Sequence, residues 1–214
     1  MNIKTKIVNK NNYGSVRNAS DIKYIVIHYT ANDGDTDENN SNYFLNNITG
    51  TSAHYFVDDN SITQTVPDNY IAYHCGAKTY KHTKCRNNNS IGIELCDNIK
   101  NGVIYPTEKT IQNALDLTKL LMKTYNIPID NVIRHYDVTG KTCPLYWVDN
   151  LKWNNEFKSK LNFTITSAND ITWELNHSYF PISDTKKFIN ELEEAKQKNS
   201  SLYWGYYKLV NKIK

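Results

Sequence analysis

The stretch Arg134 to Pro144, which reads Arg-His-Tyr-Asp-Val-Thr-Gly-Lys-Thr-Cys-Pro, constrains the fold more than any other part of the chain. It brings an imidazole (His135), an ammonium (Lys141) and a thiol (Cys143) into eleven residues, directly after the apolar run Val132-Ile133. A strand ending there would hold one end, and the Gly140 loop can fold the other end back towards it. Imidazole nitrogen and thiolate sulfur are zinc ligands, and a catalytic zinc takes three protein ligands and leaves the fourth position to water. The best candidate for the third ligand is His28, because Tyr24-Ile25-Val26-Ile27-His28 is again a β-branched run that stops on a histidine. Alone, His28 reads as a satisfied histidine at a sheet edge; the second histidine and the cysteine weaken that reading.

The rest of the chain alternates between strand and helix signals. Residues 1–21 are polar and rich in asparagine, and no function is assigned to them. Thr36 with Asp37-Glu38 predicts the start of a short helix that packs through Tyr43 and Phe44. Residues 52–66 read as a β-hairpin turning at Asp59-Asn60. Ser90 to Cys96 alternates like a central strand, and the lone acid in it, Glu94, is costly there unless it is paired with a cation or does chemistry. From Thr107, the spacing of Ile111, Leu115, Thr118, Met122 and Tyr125 predicts an amphipathic helix ended by Asn126-Ile127-Pro128. A strand then leads to His135, and residues 145–161 read as a closing helix. Tyr73-His74-Cys75-Gly76, with His82 and Cys85, invites a second zinc, although its spacing fits no familiar finger pattern.

Four ordered motifs then carry a resemblance. They are Ile-Val-Ile-His-Tyr-Thr-Ala (residues 25–31), Ser-Ala-His-Tyr-Phe-Val-Asp (52–58), Asn-Ser-Ile-Gly-Ile-Glu (89–94), and His135 with Lys-Thr-Cys-Pro (141–144). Between about Ile22 and Trp153 the chain resembles the zinc-dependent N-acetylmuramoyl-L-alanine amidases of type 2, a family that includes phage lysozyme-like amidases and is similar to animal peptidoglycan-recognition proteins. The resemblance implies an α/β fold in which a central mixed β-sheet is flanked by helices. It implies one Zn2+ per chain on His28, His135 and Cys143. It also implies catalytic roles for Glu94 as proton carrier and Lys141 as oxyanion stabiliser, and substrate-side places for His74 and His54. Where some relatives have a catalytic tyrosine this chain has Ala53, so a tyrosine-assisted mechanism is not expected. The implied reaction is hydrolysis of the amide between the lactyl group of N-acetylmuramic acid and L-alanine in the peptidoglycan of a Gram-positive wall.

Other classes fit less well. A cysteine peptidase using Cys143 and His135 would want a helix N-terminus to activate the thiol, and Pro144 follows directly. A non-catalytic recognition protein would lack the cysteine. A nucleic-acid binder would need a basic face, whereas 25 Lys and Arg are interspersed with 22 Asp and Glu for a net charge of +3. With Cys143 claimed by the metal, three cysteines remain, and an odd number argues for reduced thiols. No membrane insertion is expected, since no run of eighteen apolar residues is present. The N-terminus lacks the apolar core of a signal peptide, which predicts accumulation in the cytoplasm and access to the wall through a holin-type membrane lesion. That pattern is similar to clostridial phage or prophage endolysins; a bacterial autolysin or a muropeptide-recycling amidase is the alternative setting. The domain reading is a catalytic domain over 1–161 and a small helical C-terminal module over 162–214. The aromatics of that module (Tyr203, Trp204, Tyr206, Tyr207) either meet the cell wall or form a small core docked on the enzyme.

Overall fold

In the computed structural model, β3 (Tyr24–Tyr29) is apolar on both faces, as only a strand covered on both sides can be. The structure describes residues 3–162; the expected C-terminal module and its aromatic cluster lie outside them. In chain order the elements are β1 (Ile3–Thr5), β2 (Tyr13–Val16), β3, α1 (Asp37–Asn46), β4 (Tyr55–Val57), β5 (Ile62–Gln64), β6 (Tyr70–Ala72), β7 (Ser90–Leu95), β8 (Asn98–Lys100), β9 (Val103–Tyr105), α2 (Glu108–Tyr125), β10 (Val132–Arg134), α3 (His135–Thr139) and α4 (Asn150–Glu156). Short 3-10 turns connect them.

Six strands form one mixed sheet in the order β1-β5-β4-β7-β3-β10, in which only the β4/β5 hairpin is antiparallel. The alternation of side chains sorts the sheet into two faces. Ile25, Ile27, Tyr55, Val57, Ile91, Ile93 and Leu95 point to one side, where Ile111, Leu115, Leu117 and Leu121 of α2 cover them together with Trp147, Trp153 and Phe157. Each fully buried Ile or Leu contributes about 1.5–3 kcal/mol of transfer free energy. The Thr107 hydroxyl starts α2 by accepting from the Thr110 amide at 3.1 Å, and Asn126 ends it in the left-handed region at φ +51°. The opposite face carries Tyr24 and Val26 with Cys75, Cys85, Ile133 and Val138. On the same face of β3 and β7 lie His28 and Glu94.

Several expectations change in the structure. Residues 3–21 are built in: β1 extends the main sheet beside β5, and β2 pairs with β6 in a separate two-stranded sheet. The Asn12 side chain is fully buried, donating to the carbonyls of Phe44 and Asn47 and accepting from the amides of Thr49 and Gly50. Helix α1 packs mainly through polar groups. Its buried residues are Asp37, Asn40 and Ser41, with Asp37 accepting from Ser61 at 2.9 Å and Thr63 at 2.6 Å, whereas Tyr43 is 56% exposed. Phe44 does stack on Phe56. The expected closing helix is three pieces, a 3-10 turn at Leu145–Trp147, α4, and a 3-10 turn at Lys158–Leu161, because Asp149 caps a fresh helix start at the Lys152 amide.

Candidate active site

Strand register does the first part of the assembly. His28 of β3 pairs with Glu94 of β7, which pairs in turn with Phe56 of β4, so His28 and Glu94 stand side by side on one face. His28 Nδ1 lies 3.8 Å from a Glu94 carboxylate oxygen and 3.8 Å from Cys143 Sγ. His135 opens α3 at the end of the neighbouring β10, and its ring centroid is 4.6 Å from that of His28. Ligand atoms of His28, His135 and Cys143 all fall within 4.8 Å of one another, and all three residues are buried.

The return of Cys143 to the sheet depends on Arg134, which the sequence reading passed over. Its guanidinium holds both Asp137 carboxylate oxygens, at 2.8 and 2.6 Å. It also donates to the carbonyls of Trp147 at 2.6 Å and Val148 at 3.0 Å, and to the Asn150 side chain. One buried planar fork therefore ties the start of α3 to the turn that follows Cys143. Gly140 lets the chain reverse between them at φ +83°, and the Tyr136 amide donates to the Cys143 carbonyl at 2.8 Å. An arginine placed directly before a histidine on a buried strand was the available signal.

Burial sets the electrostatics. It holds the His28 imidazole well below its ordinary pKa and brings His135 down to about 4, with Lys141 adding to both. It pushes the Cys143 thiol up to about 12 and the Glu94 carboxyl up to about 8; Asp97 raises Glu94 further and Lys141 opposes it. The second Glu94 oxygen is buried without a hydrogen-bond partner. A cavity of about 560 Å³ opens beside this group, and His74, Lys78, His135 and Lys141 are in its wall.

The remaining candidates separate. His74 reaches the cavity and also touches His28, Nδ1 to Nε2, at 3.0 Å. His54 does not reach it: the residue is 0% exposed, its Nδ1 accepts from the Gly92 amide at 3.0 Å, and its Nε2 faces the Tyr70 carbonyl and the Arg17 guanidinium. It is therefore a brace beneath the site, not a group a substrate can touch. Arg17, buried, spreads its other donors over the carbonyls of Asp68, Asn87 and Ser90. The possible second zinc cluster is not gathered. Cys75 and Cys85 sit in the apolar layer, and His82 Nδ1 accepts from the amides of Lys84 and Cys85. Among the described residues, His28, His135 and Cys143 are the group within metal-ligating reach.

Two buried imidazoles and a thiol beside a carboxylate with one unpartnered oxygen, next to an open cavity that His135 lines, can hold a metal and support hydrolysis. Known proteins bear on this. The family model described as N-acetylmuramoyl-L-alanine amidase matches residues 18–145, so the chain belongs to the type 2 N-acetylmuramoyl-L-alanine amidase family. A probable N-acetylmuramoyl-L-alanine amidase of Bacillus licheniformis is 35% identical over 153 residues, covering 66% of this chain and 41% of that protein. The chain thus spans about two fifths of the length of that relative. The catalytic domain of XlyA superposes with a TM-score of 0.63 at 32% identity, covering 76% of this chain and all of that one. A mutant endolysin from Bacillus subtilis matches at 34% identity with a TM-score of 0.62, covering 76% of this chain and 99% of its own.

Proposed function

We propose that this chain is a zinc-dependent N-acetylmuramoyl-L-alanine amidase that cleaves the amide joining the lactyl group of N-acetylmuramic acid to L-alanine. The observation that carries the reading is the convergence of His28, His135 and Cys143 within 4.8 Å beside Glu94, in a chain of this family. Both imidazoles are held neutral by burial, and a soft sulfur donor completes a set suited to zinc, one ion per chain. Zinc, when bound, supplies Lewis-acid polarisation and a lowered pKa, about 7, for water.

The rest of the chemistry belongs to the chain's own side chains. Glu94 takes the proton of the attacking water at its carboxylate and returns it to the departing L-alanine nitrogen. A carboxyl whose pKa is raised to about 8 is able both to accept and to release a proton near neutral pH. Lys141, on the cavity wall, stabilises the negative charge that develops on the carbonyl oxygen. His74 and Lys78 share that wall.

The expected target is the peptidoglycan of a Gram-positive wall. The endolysin name of one structural relative supports the setting of a lytic enzyme released through a holin-type membrane lesion, with a bacterial autolysin as the alternative. No helix among the described residues is long and apolar enough to cross a membrane. Incubation with purified walls should free the amino groups of L-alanine while leaving glycan chains intact, and chelation should stop the release until zinc is restored. New reducing ends without new amino groups would overturn the reading in favour of a glycosidase.

A further inference from the structure

Ser90, His74 and His28 form a hydrogen-bonded file whose polarity can be worked out from its far end. The Ser90 hydroxyl stands 2.7 Å from the Arg86 carbonyl oxygen, which can only accept, so the hydroxyl proton is committed there. Ser90 Oγ is then the acceptor for His74 Nε2, 3.1 Å away, and that nitrogen carries the His74 proton. In the tautomer with its single N–H on Nε2, His74 Nδ1 is left bare. His28 Nε2, at 3.0 Å from it, is therefore a donor. The lone pair of His28 is left on Nδ1, the nitrogen that faces Cys143 and Glu94.

We propose that Ser90 and His74 are positioning residues that hold His28 in its Nε2–H tautomer and so present Nδ1 to the metal, an inference that rests on the ligand set proposed above. The file is supported on all sides. The Asn87 side chain accepts from the amides of both His74 and Cys75, at 3.2 and 2.8 Å, and pins the backbone that carries the ring. Gly92 provides the space: a Cβ there would stand 2.5 Å from His74 Cγ and 2.7 Å from His74 Nδ1, so no other residue lets the ring lie across β7. Three alternate residues of one strand thus serve one centre, with Ser90 anchoring the file, Gly92 making room for it and Glu94 reaching the reaction. Outer partners of metal-bound imidazoles set ring orientation and tautomer, and losing one typically costs 10–100-fold in metal affinity.

The test uses the full chain and two readouts. In metal-free wild-type protein, long-range nitrogen-15 NMR should show His28 with its proton on Nε2; an Nδ1–H tautomer overturns the proposal whatever any variant does. In competition with a chelator, His74→Phe should weaken zinc binding by about 10–100-fold, while His74→Asn, whose amide oxygen replaces Nδ1 as acceptor, should recover most of the loss. Gly92→Ala should also weaken it, by displacing the ring without removing a polar atom. Wild-type affinity in both His74→Phe and Gly92→Ala, with zinc lost in Cys143→Ser, overturns the positioning role alone. Wild-type affinity in Cys143→Ser overturns the ligand set and the positioning role with it.

Discussion

At single residues, loss of water acts oppositely on imidazole and thiol, and the site depends on both responses. His28 and His135 are neutral at pH 7 because burial lowers their pKa, whereas Cys143, raised to about 12, keeps its proton. Zinc capture must then displace one proton, from sulfur. The apparent zinc affinity should rise about tenfold per pH unit around neutrality. Calorimetry in buffers of different ionisation heat checks this, and release of no proton would remove Cys143 from the ligand set. Proton transfer is separable from metal binding. Glu94→Gln should keep its zinc by elemental analysis and lose about 100-fold or more in rate. Lys141→Ala should lose rate in the same way, through the oxyanion. Should Glu94→Gln lose its metal instead, the carboxylate is structural.

Among the elements, two buried polar side chains do what no apolar contact could. Arg134 links α3 to the turn after Cys143 through fixed, planar donors, and a lysine cannot reproduce the fork. Arg134→Lys should cost about 2 kcal/mol or more in urea unfolding and weaken zinc binding as well, since it frees the loop that carries the thiol. Asn12 joins the N-terminal segment to the end of α1 and to the loop before β4. Asn12→Ala leaves two carbonyls and two amides without partners and should cost about 2–4 kcal/mol. It should leave zinc affinity unchanged, because it touches none of the three donors. That contrast between the two variants separates positioning of the site from bulk stability.

For the whole molecule, residues 3–162 contain the complete six-stranded sheet, its helical cover and every proposed ligand. Trp147 and Phe157, both fully buried, close the α2 side, with ring centroids 4.9 Å apart. A chain ending at Asn162 should therefore fold, hold one zinc and cleave soluble muropeptides. If residues 163–214 contact the wall, the shortened chain should bind intact walls more weakly in a sedimentation assay. Aggregation of the shortened chain would show that the core needs the later residues. Trp147→Ala should cost about 3–5 kcal/mol in either version.

What could be read from the sequence alone was whatever repeats at a local period. The β-branched runs ending at His28 and before His135, the alternation of residues 90–95, the hairpin and the stripe of α2 all follow from side-chain periodicity, and each is an element of the structure. The identities of the three metal-ligand candidates were legible for the same reason, since two stand at the ends of such runs and the third on the adjoining loop. The tertiary structure decided the rest. It set His28 opposite Glu94 by strand register, buried His54 beneath the site, and brought Ile3–Thr5 into the main sheet as β1. It also gave Arg17, Asn12, Arg134, Ser90 and Gly92 their roles. Their partners are long-range or loop hydrogen bonds, or, for Gly92, a ring packed against missing atoms. A hydrogen bond between remote segments leaves no period in the chain, and neither does the room a glycine makes for a ring.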